Sequence, residues 1–238
     1  QGVAGTNLNF LHNGFHIGLT ALYTAFNHEL RPDTAQRFRK FAAHGQQFYN
    51  VGIDYGYLSR RLTIAGETAI DKKQALATIN MLSFYLSSRL DLRLVQRFYS
   101  YRYQALLAQS FSEGGRVNNE SGLYIGANWQ PAQGWLVSAY SDYAYFPQPR
   151  YRVYTASTAW DNMLTATFAR GNATWTARYR FRIKQENAAG SHQVIDKKEN
   201  RCRLAYGLTA DNWHAKIQAD GVMIQGNGLK SGWMTSLC

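Results

Sequence analysis

The chain has 238 residues, of which 45% are apolar and 14% aromatic, and its formal net charge is +11. Charged residues make up only 17%, against about 25% in ordinary soluble domains. No stretch approaches the roughly 18 consecutive apolar residues of a transmembrane helix, so the sequence offers no candidate for one. The positive charge predicts an anionic partner, whether lipopolysaccharide-like lipid, nucleic acid or acidic solute, or else basic loops that lie on an anionic surface.

Alternation of apolar and polar residues recurs from the first segment to the last and predicts β-strands, because successive side chains of a strand point to opposite faces. Asn13-Gly14, between the first two segments, is a strong signal for a two-residue hairpin turn. The predicted strands are 8–11, 15–25, 50–60, 62–70, 74–86, 89–99, 122–129, 135–146, 162–169, 173–184, 201–208, 213–223 and 233 to the end.

The connections between these strands alternate between short and long. The short ones are 13–14, 59–61, 87–88, 130–134, 170–172 and 209–212. The long ones are 27–49, 71–73, 102–121, 147–161, 185–200 and 224–232. Short turns on one rim, longer loops on the other and strands of roughly ten residues are typical of outer-membrane barrels. A soluble sandwich also has short alternating strands, but its Greek-key crossings would break the alternation of loop lengths.

We therefore predict an all-β fold, an antiparallel up-and-down β-barrel of the outer-membrane type with about 12–13 strands. Bacterial single-chain barrels have even strand numbers, and unpaired strand edges in lipid are costly. For this reason we expect residues 1–238 to form one β-barrel domain that is incomplete and belongs to a longer protein. The expected location is the outer membrane of a Gram-negative bacterium, with outer-membrane lipid as a partner.

Segment 173–184 shows the two faces most clearly. One parity carries Trp175, Tyr179 and Ile183, and the other carries a row of four cations. Such a row is tolerated in water or opposite acids and is costly in a packed core. We expect the apolar parity to face lipid and the cations to line a water-filled interior that favours anions.

The same alternation of faces places basic residues of other strands on the interior side. The candidate residues that line the interior or bind anions are Arg178, Arg180, Arg182, Lys184, Arg93, Arg97 and Arg203. A second interpretation remains open, in which acids and bases pair across the strands and rigidify the wall.

The longest loops carry further predictions. The polar, glycine-rich stretch 113–120 is predicted either to fold inward as a constriction or to remain a surface loop, and its candidate residues are Glu113, Arg116, Asn119 and Glu120. A short helix is predicted over 35–43, capped by Asp33 or Thr34, and a helical turn over 102–109.

No catalytic, metal or cofactor site is predicted. Cys202 and Cys238 are not in a C-x-x-C pair, and the six histidines show no metal-ligand spacing. An outer-membrane hydrolase is the alternative, because several titratable residues fall on the long-loop rim, where they could act as acid or base. These residues are His28, Asp33, His44, His192 and Asp196.

Three stretches, 49–67, 101–126 and 140–147, together resemble a known family. They are similar to the C-terminal region of large Bacteroidota proteins labelled as helix-hairpin-helix, competence-type DNA-binding proteins. The middle stretch, with Phe111-Ser-Glu-Gly-Gly-Arg-Val-Asn-Asn-Glu-Ser-Gly122, is the most specific. The helix-hairpin-helix repeats that carry the family label are absent from this sequence. Nucleic acid is therefore expected as a partner only because of the family label.

Together these observations predict a barrel that passes or binds a solute through a polar basic lumen. The positive charge of that lumen points to an anionic solute. Two alternatives stand beside it: the rim hydrolase, and a structural or docking barrel that serves a missing DNA-binding domain.

Overall fold

The computed structural model describes residues 1–237 and is all-β, which confirms the predicted fold class. Thirteen strands form one sheet in chain order, each antiparallel to its neighbours wherever the register is defined. The strands are β1 (Gly2–His12), β2 (Phe15–Leu30), β3 (Gly45–Leu58), β4 (Leu62–Asp71), β5 (Leu76–Ser87), β6 (Leu90–Tyr99), β7 (Glu120–Trp129), β8 (Trp135–Phe146), β9 (Ser157–Arg170), β10 (Ala173–Asn187), β11 (Val194–Ala210), β12 (Trp213–Gly226) and β13 (Gly228–Leu237).

The sheet begins at β1 and ends at β13, and within residues 1–237 it is not closed. In the same part of the chain, no helix is long and apolar enough to span a membrane. The predicted last strand extends to Cys238, which lies outside the described residues.

The chain forms two compact units. The first contains Gln1–Phe84, Leu94–Leu123 and Ala144–Thr158, and includes three of the long loops. The second contains Tyr85–Arg93, Tyr124–Tyr143 and the chain from Ala159 onward. The expected organisation as one barrel domain stays a prediction.

Many large apolar side chains in both units lie on the exposed side of their strands, although others such as Val95 and Tyr99 are buried. In β6, Phe98 is 41% exposed whereas Arg97 is fully buried. In β9, Trp160 is 43% exposed and Asp161 only 5%. A soluble sheet with one solvated face shows the opposite distribution, and large exposed apolar surfaces on a protein mark an interaction with another apolar medium. We call these two sides the apolar and polar faces of the strands.

A row of aromatic rings crosses the tight-turn ends of four neighbouring strands in the second unit. The ring centroids of Trp135 and Phe168 lie 4.9 Å apart, and those of Phe168 and Trp175 lie 5.5 Å apart. Trp175 continues the row to Tyr206 of β11 at 5.3 Å. Trp135 and Trp175 are exposed and Phe168 and Tyr206 are half-buried, and such a girdle of aromatic rings is a feature of strands that cross a membrane interface.

The alternation of short and long connections holds for part of the chain, with three corrections. The connection 71–73, predicted among the long ones, is the four-residue turn 72–75. The predicted long loop 224–232 is a tight hairpin with only Asn227 between β12 and β13. The predicted loop 185–200 shrinks to 188–193, because β10 and β11 extend into it. The last two errors arise at strand ends, where the apolar alternation stops although the backbone pairing continues.

The helix predicted over 35–43 is wrong, because only the single 3-10 turn Arg37–Arg39 forms there. Asp33 accepts a hydrogen bond from the backbone of Ala35 (3.1 Å), which closes a local turn instead of capping a helix. The helical turn predicted over 102–109 is likewise absent. That stretch forms part of a loop instead.

Candidate functional site

A buried ion pair fixes the long loop 100–119 at its return to the sheet. Arg97 of β6 donates from Nε to Glu120 Oε1 of β7 at 2.6 Å, and both side chains are fully buried. The same carboxylate accepts the backbone N–H groups of Glu113 (2.8 Å) and Gly114 (2.7 Å). These donors satisfy a charge that would be very costly to bury alone. We call Arg97, Glu120 and the two backbone groups the loop anchor.

Phe111, Gly122 and Tyr99 lie next to the loop anchor or to the loop that it holds. The guanidinium of Arg97 lies 4.9 Å from the ring centroid of Phe111. Gly122 leaves the room that Arg97 occupies, since a Cβ there would lie 2.7 Å from Nη2. The hydroxyl of Tyr99 donates to the carbonyl of Phe111 and contacts Ser110 Oγ, both at 2.9 Å. The loop is thereby fixed to the polar face of β6 and β7.

The first part of loop 100–119 covers the polar face of β4 and β5. Tyr103 is buried in a cluster with Ala69 of β4 and Ala77 of β5. Burial raises the pKa of the Tyr103 hydroxyl to about 12, and the nearby charge of Glu67 acts in the same direction. Residues 103 and 104 are thus buried against this face, whereas 106–111 are exposed, and the alternative of constriction or surface loop for 113–120 stays a prediction.

A buried carboxylate at the end of β4 holds this cover in place. Asp71 Oδ1 accepts the backbone N–H groups of Lys73 (2.8 Å) and Ala75 (2.9 Å), which shapes the β4–β5 turn. Its Oδ2 accepts the backbone N–H of Gln104 at 2.9 Å. One side chain thus joins a tight turn to the long loop.

The loop is also joined to loop 147–156. Asn119 donates to the carbonyl of Gln148 (3.0 Å) and accepts its N–H (2.9 Å). Arg150 lies with its guanidinium 3.6 Å above the ring centroid of Phe146. Burial lowers the pKa of Arg150, although Glu113 and Glu120 act in the opposite direction.

A basic patch occupies the polar face of β10 and β11 in the second unit. The register places Arg178 opposite Arg203, Arg180 opposite Arg201 and Lys184 opposite Lys197. Directly opposed like charges destabilise a strand pair, so this arrangement requires compensating anions. With Arg182, which lies opposite Glu199, the patch contains seven cations on two strands.

Carboxylates from the patch and its flanking strands offset part of this charge. Asp161 of β9 accepts Arg180 Nε at 2.8 Å and lies 3.5 Å from Arg182 Nε. Asp220 of β12 accepts Arg203 Nε at 2.6 Å. Within the patch strands, Glu199 pairs with Arg201 (2.5 Å) and Glu186 with Lys197 (3.3 Å). Four carboxylates against seven cations leave the patch positive.

The structure separates the predicted basic residues into two groups. Arg178, Arg180, Arg182, Lys184 and Arg203 share the patch on β10 and β11. Arg97 lies instead in the loop anchor, where Glu120 and the protein interior surround it. Arg93 is exposed on β6. Of the predicted loop residues, Glu113, Asn119 and Glu120 make the contacts above, whereas Arg116 is exposed.

Sequence reasoning missed Asp161 and Glu199, the acids that offset the patch. Both lie in strand ends that were assigned to loops, since the predicted strands began at 162 and 201. Counting alternate positions from Arg178 through the hairpin turns into β9 and β11 would have placed both acids on the polar face.

The residues of the alternative hydrolase site lie at the ends of strands or in loops. His28 lines a surface groove with Asn27, Glu29, Arg31 and Gln46. In the part of the chain that the structure describes, no three or more His, Cys, Asp and Glu side chains are grouped to hold a metal ion.

No protein-family model matches the chain, and no curated protein or solved structure matches it either. The resemblance to the helix-hairpin-helix-labelled proteins stays a prediction.

Proposed function

We propose that the chain is a segment of an outer-membrane β-barrel whose polar face binds or passes anionic solutes. An antiparallel up-and-down sheet is compatible with that class of protein. The exposed apolar faces and the aromatic row at the tight turns support contact with lipid.

The proposed preference for anions rests on the register of β10 and β11. It sets cations directly opposite each other on the polar face, and the surrounding carboxylates offset them only in part. A bound anion would relieve this repulsion, because charged hydrogen bonds from arginine to carboxylate or phosphate are the strong ones. The patch is therefore suited to attract anions and to disfavour cations.

Arg178 offers the cleanest test. It is exposed and faces Arg203 and Thr165 across the two strand pairs. Among residues 1–237 it has no carboxylate within ion-pair distance. Arg178→Glu therefore changes the charge of the patch without breaking an ion pair.

The experiment is the reversal potential of the protein in planar bilayers under a salt gradient. We expect the parent to favour anions and Arg178→Glu to shift the reversal potential toward cations. Arg61→Glu is the matched control, since Arg61 is exposed in the turn 59–61 and lies outside the patch. Equal shifts in the two variants, or none in Arg178→Glu, would rule out the patch as the selective element.

The loop anchored on the polar face favours a second form of the same proposal, in which anions bind without crossing. Loop 100–119 covers β4 and β5 and is fixed at both ends by buried carboxylates. Absence of conductance, together with anion binding that Arg178→Glu weakens, would support this form.

A further inference from the structure

Three long loops of the first unit meet through their aromatic side chains. Phe38 of loop 31–44 contacts Tyr151 of loop 147–156, with ring centroids 5.4 Å apart. Phe41 contacts Tyr101 of loop 100–119 at 4.6 Å. Both pairs are edge-on, a favourable geometry for aromatic rings. The three loops therefore form one surface at the long-loop ends of the strands.

Four cations lie on these rings. Lys40 Nζ and the guanidinium of Arg102 are 5.6 Å and 6.0 Å from the centroid of Phe41, so two loops present charge at one ring. A ring face attracts a cation through its quadrupole and holds it at a defined place.

The other ring pair repeats this arrangement. The guanidinium of Arg39 is 5.4 Å from the centroid of Phe38, and that of Arg152 is 5.2 Å from Tyr151. Arg152 has φ +62°, an uncommon conformation for a residue with a side chain. We call Arg39, Lys40, Arg102 and Arg152 the rim cluster.

The rim cluster is exposed and uncompensated. All four residues are exposed, and within residues 1–237 none has a carboxylate oxygen within 4.0 Å. The guanidinium fork matches the oxygens of phosphate, and several such groups together favour a ligand with more than one negative charge.

We propose that the rim cluster is the docking surface for a small compound with several phosphate charges. This rests on the proposed function, because it names the class of anion that the molecule takes up. The ring faces of the cluster already carry the protein's own cations, so they do not offer the free stacking platforms that single-stranded nucleic acid uses. Phosphate charge, and not base stacking, is therefore the recognised feature.

The position of the cluster fits this role. Arg102 belongs to the loop that the anchor fixes to the polar face, and Tyr101 beside it is packed against Phe41. A docked anion would lie at the long-loop end of that face. Because loop 100–119 is fixed by buried contacts, Arg102 needs little reordering to bind.

The test uses the full chain in detergent micelles and inorganic tripolyphosphate as the probe, measured by titration calorimetry. The variant Arg39→Gln/Arg102→Gln/Arg152→Gln removes three charges of the cluster. Its matched control is Arg60→Gln/Arg61→Gln/Arg89→Gln, which removes three exposed charges at tight-turn ends. We expect binding to weaken roughly tenfold or more in the first variant and to change little in the second.

Three outcomes would overturn the inference. Equal weakening in both variants would indicate a general charge effect, and no weakening in either would remove the cluster from binding. Stronger binding of oligothymidylate than of tripolyphosphate would assign the surface to nucleic acid instead. If tripolyphosphate binding depends on the cluster while Arg178→Glu leaves ion selectivity unchanged, the docking surface stands and the role of the β10–β11 patch fails.

Discussion

Glu120 joins β6, β7 and loop 100–119 of the first unit. Its two oxygens accept one guanidinium and two backbone N–H groups, all from elements other than β7. A carboxylate with such partners fixes the geometry of each donor. The position of loop 100–119 is therefore set by one residue at the start of a strand.

Glu120→Gln should lower the free energy of unfolding by about 3–5 kcal/mol, the usual cost of removing one partner of a buried ion pair. The substitution leaves the Arg97 charge buried without its counter-charge. Urea unfolding of the protein in lipid vesicles, followed by tryptophan fluorescence, measures this change.

Glu29→Gln is the control for that experiment. Glu29 pairs with Arg31 at 2.7 Å, but both side chains are exposed. Exposed pairs contribute about 0–1 kcal/mol. A loss of similar size in both variants would show that the anchor is not a special contact.

At the scale of elements, the cover formed by loop 100–119 has a consequence for pH. The pKa of Tyr103 is raised to about 12 in the folded protein because the hydroxyl is buried, whereas an unfolded tyrosine titrates near 10. Between these values the unfolded chain loses the proton and the folded chain keeps it. Stability therefore falls as the pH rises from about 10 to 12.

Tyr103→Phe should weaken this dependence, since it removes a group worth about 2–3 kcal/mol across that interval. The measurement is the urea midpoint of parent and variant at several pH values between about 9 and 12. Tyr151→Phe, at an exposed tyrosine of the next loop, is the control. Parallel curves for the parent and Tyr103→Phe would place the ionised Tyr103 in solvent.

Period-2 alternation predicted the strands other than β5, because a strand with one apolar face has apolar residues at every second position; residues 74–86, which predicted β5, are apolar on both parities. Strand ends were predicted less well, as β9 and β11 show. Residues 159–161 and 194–200 pair with their neighbours but lie outside the predicted alternating segments. The anchor was beyond sequence reasoning, since Arg97 and Glu120 are 23 residues apart and meet only through the folded loop.

At the scale of the whole molecule, the exposed apolar faces lead to different expectations for a sheet in lipid and for a sheet in water. Ile125 of β7 is 52% exposed. In water, a substitution at such a site usually changes stability by less than about 0.5 kcal/mol. In a bilayer, an arginine on the lipid face costs about 2–4 kcal/mol near the midplane.

Ile125→Arg should therefore destabilise the protein in vesicles by about 2–4 kcal/mol. Urea unfolding in vesicles measures the difference, and Asn128→Arg is the control because its side chain bonds Asp91 on the polar side of the same strand. If Ile125→Arg changes the unfolding free energy by less than the control does, the apolar faces do not contact lipid.

The opposed cations of β10 and β11 also constrain the order of assembly. Taken alone, this hairpin brings together Arg178 with Arg203 and Arg180 with Arg201. Its own acids, Glu199 and Glu186, pair with Arg201 and Lys197, so the opposed Arg178 and Arg203 still repel its closure. The acids that relieve Arg180 and Arg203 come from β9 and β12. We therefore expect the four strands β9–β12 to pair more stably as a set than the β10–β11 hairpin does by itself.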